Sequence, residues 1–356
     1  MVDRKHKQSA KKSKSAALSP QAGLPFWVWA AGLTVLVGLF VYFNAGRGGR
    51  ALSKQSAGAG DSTPDISMDR LLIQDEEIYK QYAGSASCQE CHASEFEQWK
   101  PSNHRMAERP LMAEFDVEAF DPDQGFEVAS IKSTAKKEAD THIIETLGVG
   151  GTNQVHRLER VIGHTPLRQY LTDIGNGRLQ AMDTSYDPHH HEWFNVYGEE
   201  GRQAGEWGHW TGRGMNWNSM CAGCHNTRLR KNYDPETDQY HTAMAEMSVG
   251  CESCHGPLKA HVQYYKSPET YEKPPKAPLG ERDASQILDT CGSCHSRRTE
   301  LTGDFVPGES YLDHYSLVIP DASDLYYADG QVRDEDYVYT SFLSSKMHQS
   351  GVHCLD

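Results

Sequence analysis

Apolar runs are few in this chain, and one stands apart. From Leu24 to Phe43 the sequence reads LPFWVWAAGLTVLVGLFVYF, without a charge. As a helix rising about 1.5 Å per residue it spans roughly 30 Å, one bilayer core. Phe26, Trp27 and Trp29 at one end and Tyr42 and Phe43 at the other match interfacial aromatic belts. A cleaved signal peptide is the alternative, but its apolar region is usually about 7–15 residues and is followed by an A-x-A site, which is not evident here. The pattern predicts one N-terminal transmembrane helix at 24–43, a retained signal anchor. Residues 1–23, with six Lys or Arg against Asp3, then form a basic cytoplasmic tail. The positive-inside rule places the rest of the chain on the periplasmic face of an inner membrane.

Beyond the anchor the pattern changes. Residues 44–65 are dominated by Gly, Ala and Ser and read as a flexible linker. ISMDRLLIQDEEIYKQYA, from Ile66 to Ala83, has an apolar stripe at helical spacing. Residues 66–115 form a short helical segment. In 116–210, GFEVASI, THIIETL, VHRLERVIG and EWFNVYG show the β-branched alternation of strands, so this stretch is expected to be a small β-rich insert. Residues 211–356 read as short helices joined by long loops. The fold class expected is mostly α.

Composition sharpens this reading. The net charge of −14 argues against nucleic acid as a partner and suits a basic protein partner. Apolar residues make up only 38% of the 356, while histidines number 18. A chain so poor in core residues and so rich in His and Cys draws part of its core from a metal or cofactor.

Eight of the nine cysteines fall into CQECH (Cys88, Cys91, His92), CAGCH (Cys221, Cys224, His225), CESCH (Cys251, Cys254, His255) and CGSCH (Cys291, Cys294, His295). Each pair is separated by two residues and followed at once by histidine, the attachment signature of c-type haem. Two thiols one helical turn apart can form thioethers to the two haem vinyls, and the next imidazole then binds the iron as proximal ligand. Zinc ribbons and C-x-x-C disulfides leave the four histidines unexplained. The cofactor is therefore haem c, with four complete sites, and the chain without haem is expected not to fold stably.

The second axial ligand decides the chemistry. An imidazole makes a low-spin electron carrier, and an open face makes a site that can bind a small molecule. His104, His261, His209 and His348 are the candidate distal ligands. His261, six residues after His255, is too close to cross its own ring and is expected to serve a neighbouring haem. Met106, Met220 and Met347 are weaker candidates. The run His189–His191 reads as an exposed loop before a strand, and His164 and Tyr170 could line a haem pocket or simply pack. No C-x-x-C-K occurs, which counts against pentahaem nitrite reductase activity.

The segments CQECHASEFEQWKPSNH, HWTGRGMNWNSMCAGCHNTRLRKNY, VGCESCHGPLKAH and the long stretch from CGSCH to SKMHQSGVHC resemble the multihaem cytochromes of the c-552/4 class. They are most similar to large bacterial members with a tetratricopeptide-repeat region after the haem domain, although no 34-residue period is visible here. The resemblance implies exported electron transfer in a respiratory chain, with a quinol-side enzyme or small cytochrome as redox partner. The alternatives are an oxidoreductase with one open haem, acting on a small nitrogen or sulfur compound, and a scaffold of a redox complex. In such proteins the stretch matching SKMHQSGVHCLD continues into another haem motif. Cys354 is accordingly expected to be the first thioether of a fifth, incomplete site.

Overall fold

The computed structural model describes residues 75–273, 275, 282–321, 323–333 and 337–356. The chain divides into two units, 1–64 and 65–356, and all the described residues lie in the second.

The centre of this unit is an antiparallel sheet of eight strands, and only 28% of the structure is helical. This corrects the expectation of a mostly α fold with a small β-rich insert. The strands are β1 (Glu108–Pro110), β2 (Gln124–Val128), β3 (Ile131–Glu138), β4 (Thr141–Leu147), β5 (Asn153–Ile162), β6 (Arg168–Asp173), β7 (Leu179–Asp187) and β8 (Glu192–Asn195). From β2 to β8 each strand pairs with its sequence neighbour. The long strand β5 changes partner along its length. Residues 153–157 pair with β4, and 160–162 pair with β1. A register shift between Leu158 and Arg160 marks the switch, as a bulge does when it re-aims a strand.

The sheet curls until its ends meet. Phe126 of β2 stacks on Trp193 of β8, with ring centres 5.1 Å apart and planes 3° from parallel. Inside, Phe120 meets Tyr170 and Trp193 edge-on at 5.1 and 5.5 Å, the arrangement that the ring quadrupoles favour. Ile144, Leu158, Met182 and Trp210 complete this core. The interior is also polar in places. Ser133 and Thr146 share a hydrogen bond of 2.7 Å between β3 and β4.

A second apolar cluster carries the sheet to the haem motifs. Ile162, Leu171, Leu179 and Ala181 pack against Met215, Trp217 and Ala222, which lead into the second motif. Gln180 of β7 holds that segment by donating to Trp210 O at 2.7 Å and Gly212 O at 2.9 Å. A third cluster, Leu288, Tyr311, Tyr315 and Tyr339, surrounds the helix Ala284–His295. That helix starts with a capping box between Asp283 and Gln286.

The expected membrane anchor at 24–43 lies outside the described residues, as do the basic tail at 1–23 and the linker at 44–65. Among the described residues no helix is long and apolar enough to cross a membrane. The described residues thus give no support to the expected transmembrane helix or to a single-pass inner-membrane placement, and neither is carried further. His164 and Tyr170 both pack against aromatic neighbours. Tyr170 lies on β6 in the sheet core, and the His164 ring packs on Phe115 at 4.7 Å. His189–His191 form an exposed turn before β8.

Candidate haem centres

Each motif occupies one helical turn, which places residues i, i+3 and i+4 on one side. In the first, the N–H groups of Cys91 and His92 both donate to Cys88 O, at 3.2 and 2.8 Å. The second is the helix Ala222–His225 with Cys221 at its start. The third is the helix Cys251–His255, and the fourth ends the helix Ala284–His295.

The motifs meet in pairs. The Cys88 thiol is in hydrogen-bond contact with Cys251, and Cys224 with Cys294. Contact with Cys88 draws the Cys251 thiol down to about 6, and contact with Cys224 does the same to Cys294, while burial opposes both. Cys254 lies near both Cys291 and Cys294. Cys354 reaches Cys291 by a hydrogen bond between thiols.

Carboxylates and hydroxyls outside the motifs fix these pairs. Glu252, inside CESCH and buried, accepts from Ala83 N at 2.9 Å, Gly84 N at 2.7 Å and Leu258 N at 2.7 Å. It thereby fastens the third motif to the residues before the first. Ser85 Oγ accepts from Cys251 N at 2.9 Å and donates to Glu246 at 2.7 Å. The Thr227 and Ser253 hydroxyls join the second motif to the third at 2.8 Å. Arg282 donates to Cys254 O and Thr290, tying the third motif to the fourth.

The second motif is held from the sheet. Ala107 O, one residue before β1, lies 2.9 Å from His225 Nδ1. That bond keeps the proton on Nδ1 and leaves the Nε2 lone pair for a metal. Glu108, wholly buried, accepts from Asn226 Nδ2 at 2.7 Å, Trp217 Nε1 at 2.8 Å and Arg160 Nη1 at 3.0 Å.

Two expected distal histidines come to motif histidines. The ring centre of His261 is 6.3 Å from that of His92, with planes 27° apart. His104 is 6.1 Å from His295, at 74°. Ser248 Oγ donates to His104 O at 2.7 Å and to Arg105 O at 2.6 Å, holding that segment. A metal–imidazole bond of about 2 Å, with roughly 1.1 Å from nitrogen to ring centre, puts two imidazoles on opposite faces of one metal about 6.2 Å apart. Both pairs fit this spacing. Burial holds His255 below its ordinary pKa, and Arg282 and His92 add to the effect.

The other two candidates have different surroundings. His209 is buried beside Trp210, with Nδ1 2.8 Å from Thr211 Oγ1. His348 lies on the helix Lys346–Gln349, with its ring 6.0 Å from Phe342.

The surrounding helices fit a large apolar cofactor as well. Ala93–Trp99 and Lys259–Lys266, which flank His92 and carry His261, bury none of their residues. Helices this short are marginal without a packing partner. Glu108, Glu252, Glu246 and Ser248 were missed in the sequence. The one available signal was an acid, Glu252, placed inside a haem motif.

A family described as cytochrome c554 and c-prime matches residues 87–146 and 184–256, which take in the first three motifs. The crystal structure of the outer cell wall cytochrome OcwA is similar to this chain, with a TM-score of 0.50 and 21% identity over 74% of the chain. The chain spans about half the length of that structure, 51%. The undecaheme cytochrome from the S-layer of Carboxydothermus ferrireducens aligns with a TM-score of 0.37 and 18% identity, over 61% of this chain and 26% of that one. No curated protein matches. The four attachment motifs and the family match support a multihaem c-type cytochrome with covalently bound haem c.

Proposed function

We propose that the chain is an electron-transfer module with four complete haem sites, in which His261 lies opposite His92 and His104 opposite His295. The two imidazole spacings, 6.3 and 6.1 Å, carry this reading. When bound, haem iron supplies one-electron chemistry, and two imidazoles keep it low-spin and closed to small ligands. The paired cysteines of each motif would hold the haem through thioethers, and His225, fixed by Ala107 O, would offer Nε2 to its iron.

The thiol contacts give the sites a spatial order different from their order in sequence. The first neighbours the third, the third the fourth, and the fourth the second. Such a row carries electrons from one end of the module to the other. The redox partner is a protein, and the net charge of −14 favours a basic docking face on it. A respiratory role, and kinship with the tetratricopeptide-bearing members of the c-552/4 class, are parts of the same proposal, carried by the long segments around the second and fourth motifs.

The test is the low-temperature EPR spectrum of the oxidised protein, with haem counted by mass spectrometry. His104→Ala and His261→Ala should each convert one low-spin haem to high-spin, while His209→Ala and His348→Ala should leave spin states unchanged. Spectra of His104→Ala and His261→Ala identical to the parent would refute the ligand assignment.

A further inference from the structure

One cation stands where the second and fourth motifs meet. Arg298 Nη2 is 3.9 Å from Cys224 Sγ, and Arg298 Nε donates to Ser293 O, inside CGSCH, at 2.6 Å. The guanidinium lies 3.8 Å above the Tyr315 ring centre. Its side chain is only 11% exposed.

The position is built rather than incidental. Arg298 belongs to the strand Arg298–Glu300, which pairs with Tyr315–Leu317. The backbone and the Tyr315 ring both orient the fork. The acid within reach, Glu300, is 4.0 Å from Nη1 and lies closer to Lys231, at 3.0 Å. The charge of Arg298 is therefore left largely to the sulfur side, where Cys224 Sγ stands 3.9 Å from Nη2.

We propose that Arg298 sets the reduction potentials of the two haems held at Cys221–His225 and Cys291–His295, acting on both at once. The inference rests on the reading that these motifs hold haem. Ferric iron carries one positive charge more than ferrous iron, so a fixed cation beside the ring disfavours the oxidised form and raises the potential. Net charge and hydrogen bonds to the sulfurs are the levers by which a protein tunes a haem or cluster. A largely enclosed charge is screened less than a surface one. Arg298 does not touch a substrate or an iron ligand, so its part is electrostatic positioning.

The experiment is a potentiometric titration of the haem-loaded protein, followed by visible and EPR spectra, for Arg298→Gln, Arg298→Lys and Glu300→Gln. Arg298→Gln should move two of the midpoint potentials negative and leave the others in place. Arg298→Lys keeps the charge without the planar fork and should move the same two by less. Glu300→Gln removes the nearest carboxylate, which offsets Arg298 only in part, and should move the same two positive by less; it decides the matter if Arg298→Gln does not load haem. Mass spectrometry of the parent separates the two levels of inference. Absence of haem on the second or fourth motif would overturn the underlying reading. Full haem loading with unmoved midpoints in both Arg298→Gln and Glu300→Gln would overturn the proposal, as would an equal shift of every haem.

Discussion

Replacing Glu108 tests whether the sheet and the second motif form one structure. Its carboxylate is wholly enclosed and accepts from Asn226, Trp217 and Arg160 at 2.7, 2.8 and 3.0 Å. In Glu108→Ala, the Trp217 indole N–H and one N–H of the Asn226 amide lose their acceptor, while the amide keeps Ala222 O at 3.1 Å. A buried donor left unpaired costs about 1–3 kcal/mol. The Arg160 side chain, 26% exposed, can recover part of its hydration. The sum is about 4 kcal/mol, at the upper end for a point substitution. With roughly 2–4 °C of melting temperature per kcal/mol in domains of comparable size, the haem-loaded protein should melt about 10 °C lower. Glu108→Gln keeps the volume and one acceptor and should lose about half as much. Thermal melts by circular dichroism and guanidinium titrations measure both. A loss below about 1 kcal/mol for Glu108→Ala, with an unchanged denaturant slope, would refute the reasoning.

Other outcomes follow from the same structure. A Cβ on Gly292 would stand 2.7 Å from two atoms of the Tyr339 ring, whereas Gly223, the second interior residue of its own motif, has open space. Gly292→Ala should therefore cost about 1–3 kcal/mol by overpacking, measured by thermal melting, and Gly223→Ala should be silent. Arg109 and Asp116 form a fully buried two-pronged pair at 2.6 and 2.9 Å. Arg109→Met strands the carboxylate and should cost about 3–5 kcal/mol, with Arg109→Met/Asp116→Leu recovering most of it. Burial holds His142 and His156 below 6.5, and their Nε2 atoms have no partner. The unfolded chain then binds more protons than the folded one in acid, so stability is full above 6.5 and falls as the pH drops through the folded values. Melting temperatures measured across that range should fall more gently in His142→Phe/His156→Leu.

The motifs were legible because their chemistry fixes residue types and spacing together. GFEV, THIIETL, VHRLERVI and EWFN were legible as strands because apolar and β-branched residues alternate in them. The strands that escaped notice have polar interiors. β3 reads IKSTAKKE, and its buried Ser133 bonds across to Thr146. β7 reads LQAMDTSYD and is buried over its first eight residues, including Gln180, Asp183, Thr184 and Ser185. A pattern that weighs only hydrophobicity scores such strands as loops, and so a sheet that dominates the fold looked like an insert. The proximity of His261 to His92 follows from packing between segments about 170 residues apart, which no local pattern encodes. His209, a candidate ligand by type, stands beside Trp210 with Nδ1 2.8 Å from Thr211 Oγ1.

The thiol contacts between motifs bear on the order in which the protein can mature. From β2 to β8 the strands pair in succession, so most of the sheet can form from neighbouring segments, which favours fast folding. The first motif precedes the sheet in sequence, and the other three follow it. Even in a haem-free chain that does not fold stably, transient docking of β1 on β5 brings Cys88 toward Cys251 and Cys224 toward Cys294. Given an external disulfide oxidant, which leaves as two thiols, one thiolate attacks it and the neighbouring thiol resolves the mixed disulfide into a bridge. Peptide mapping of chains produced without haem attachment should find these two cross-motif bridges. Bridges only within each C-x-x-C would refute the expectation. Folding and haem ligation thus compete for the same sulfurs, and the contact that puts two redox centres side by side in the finished protein becomes a trap if the chain closes first.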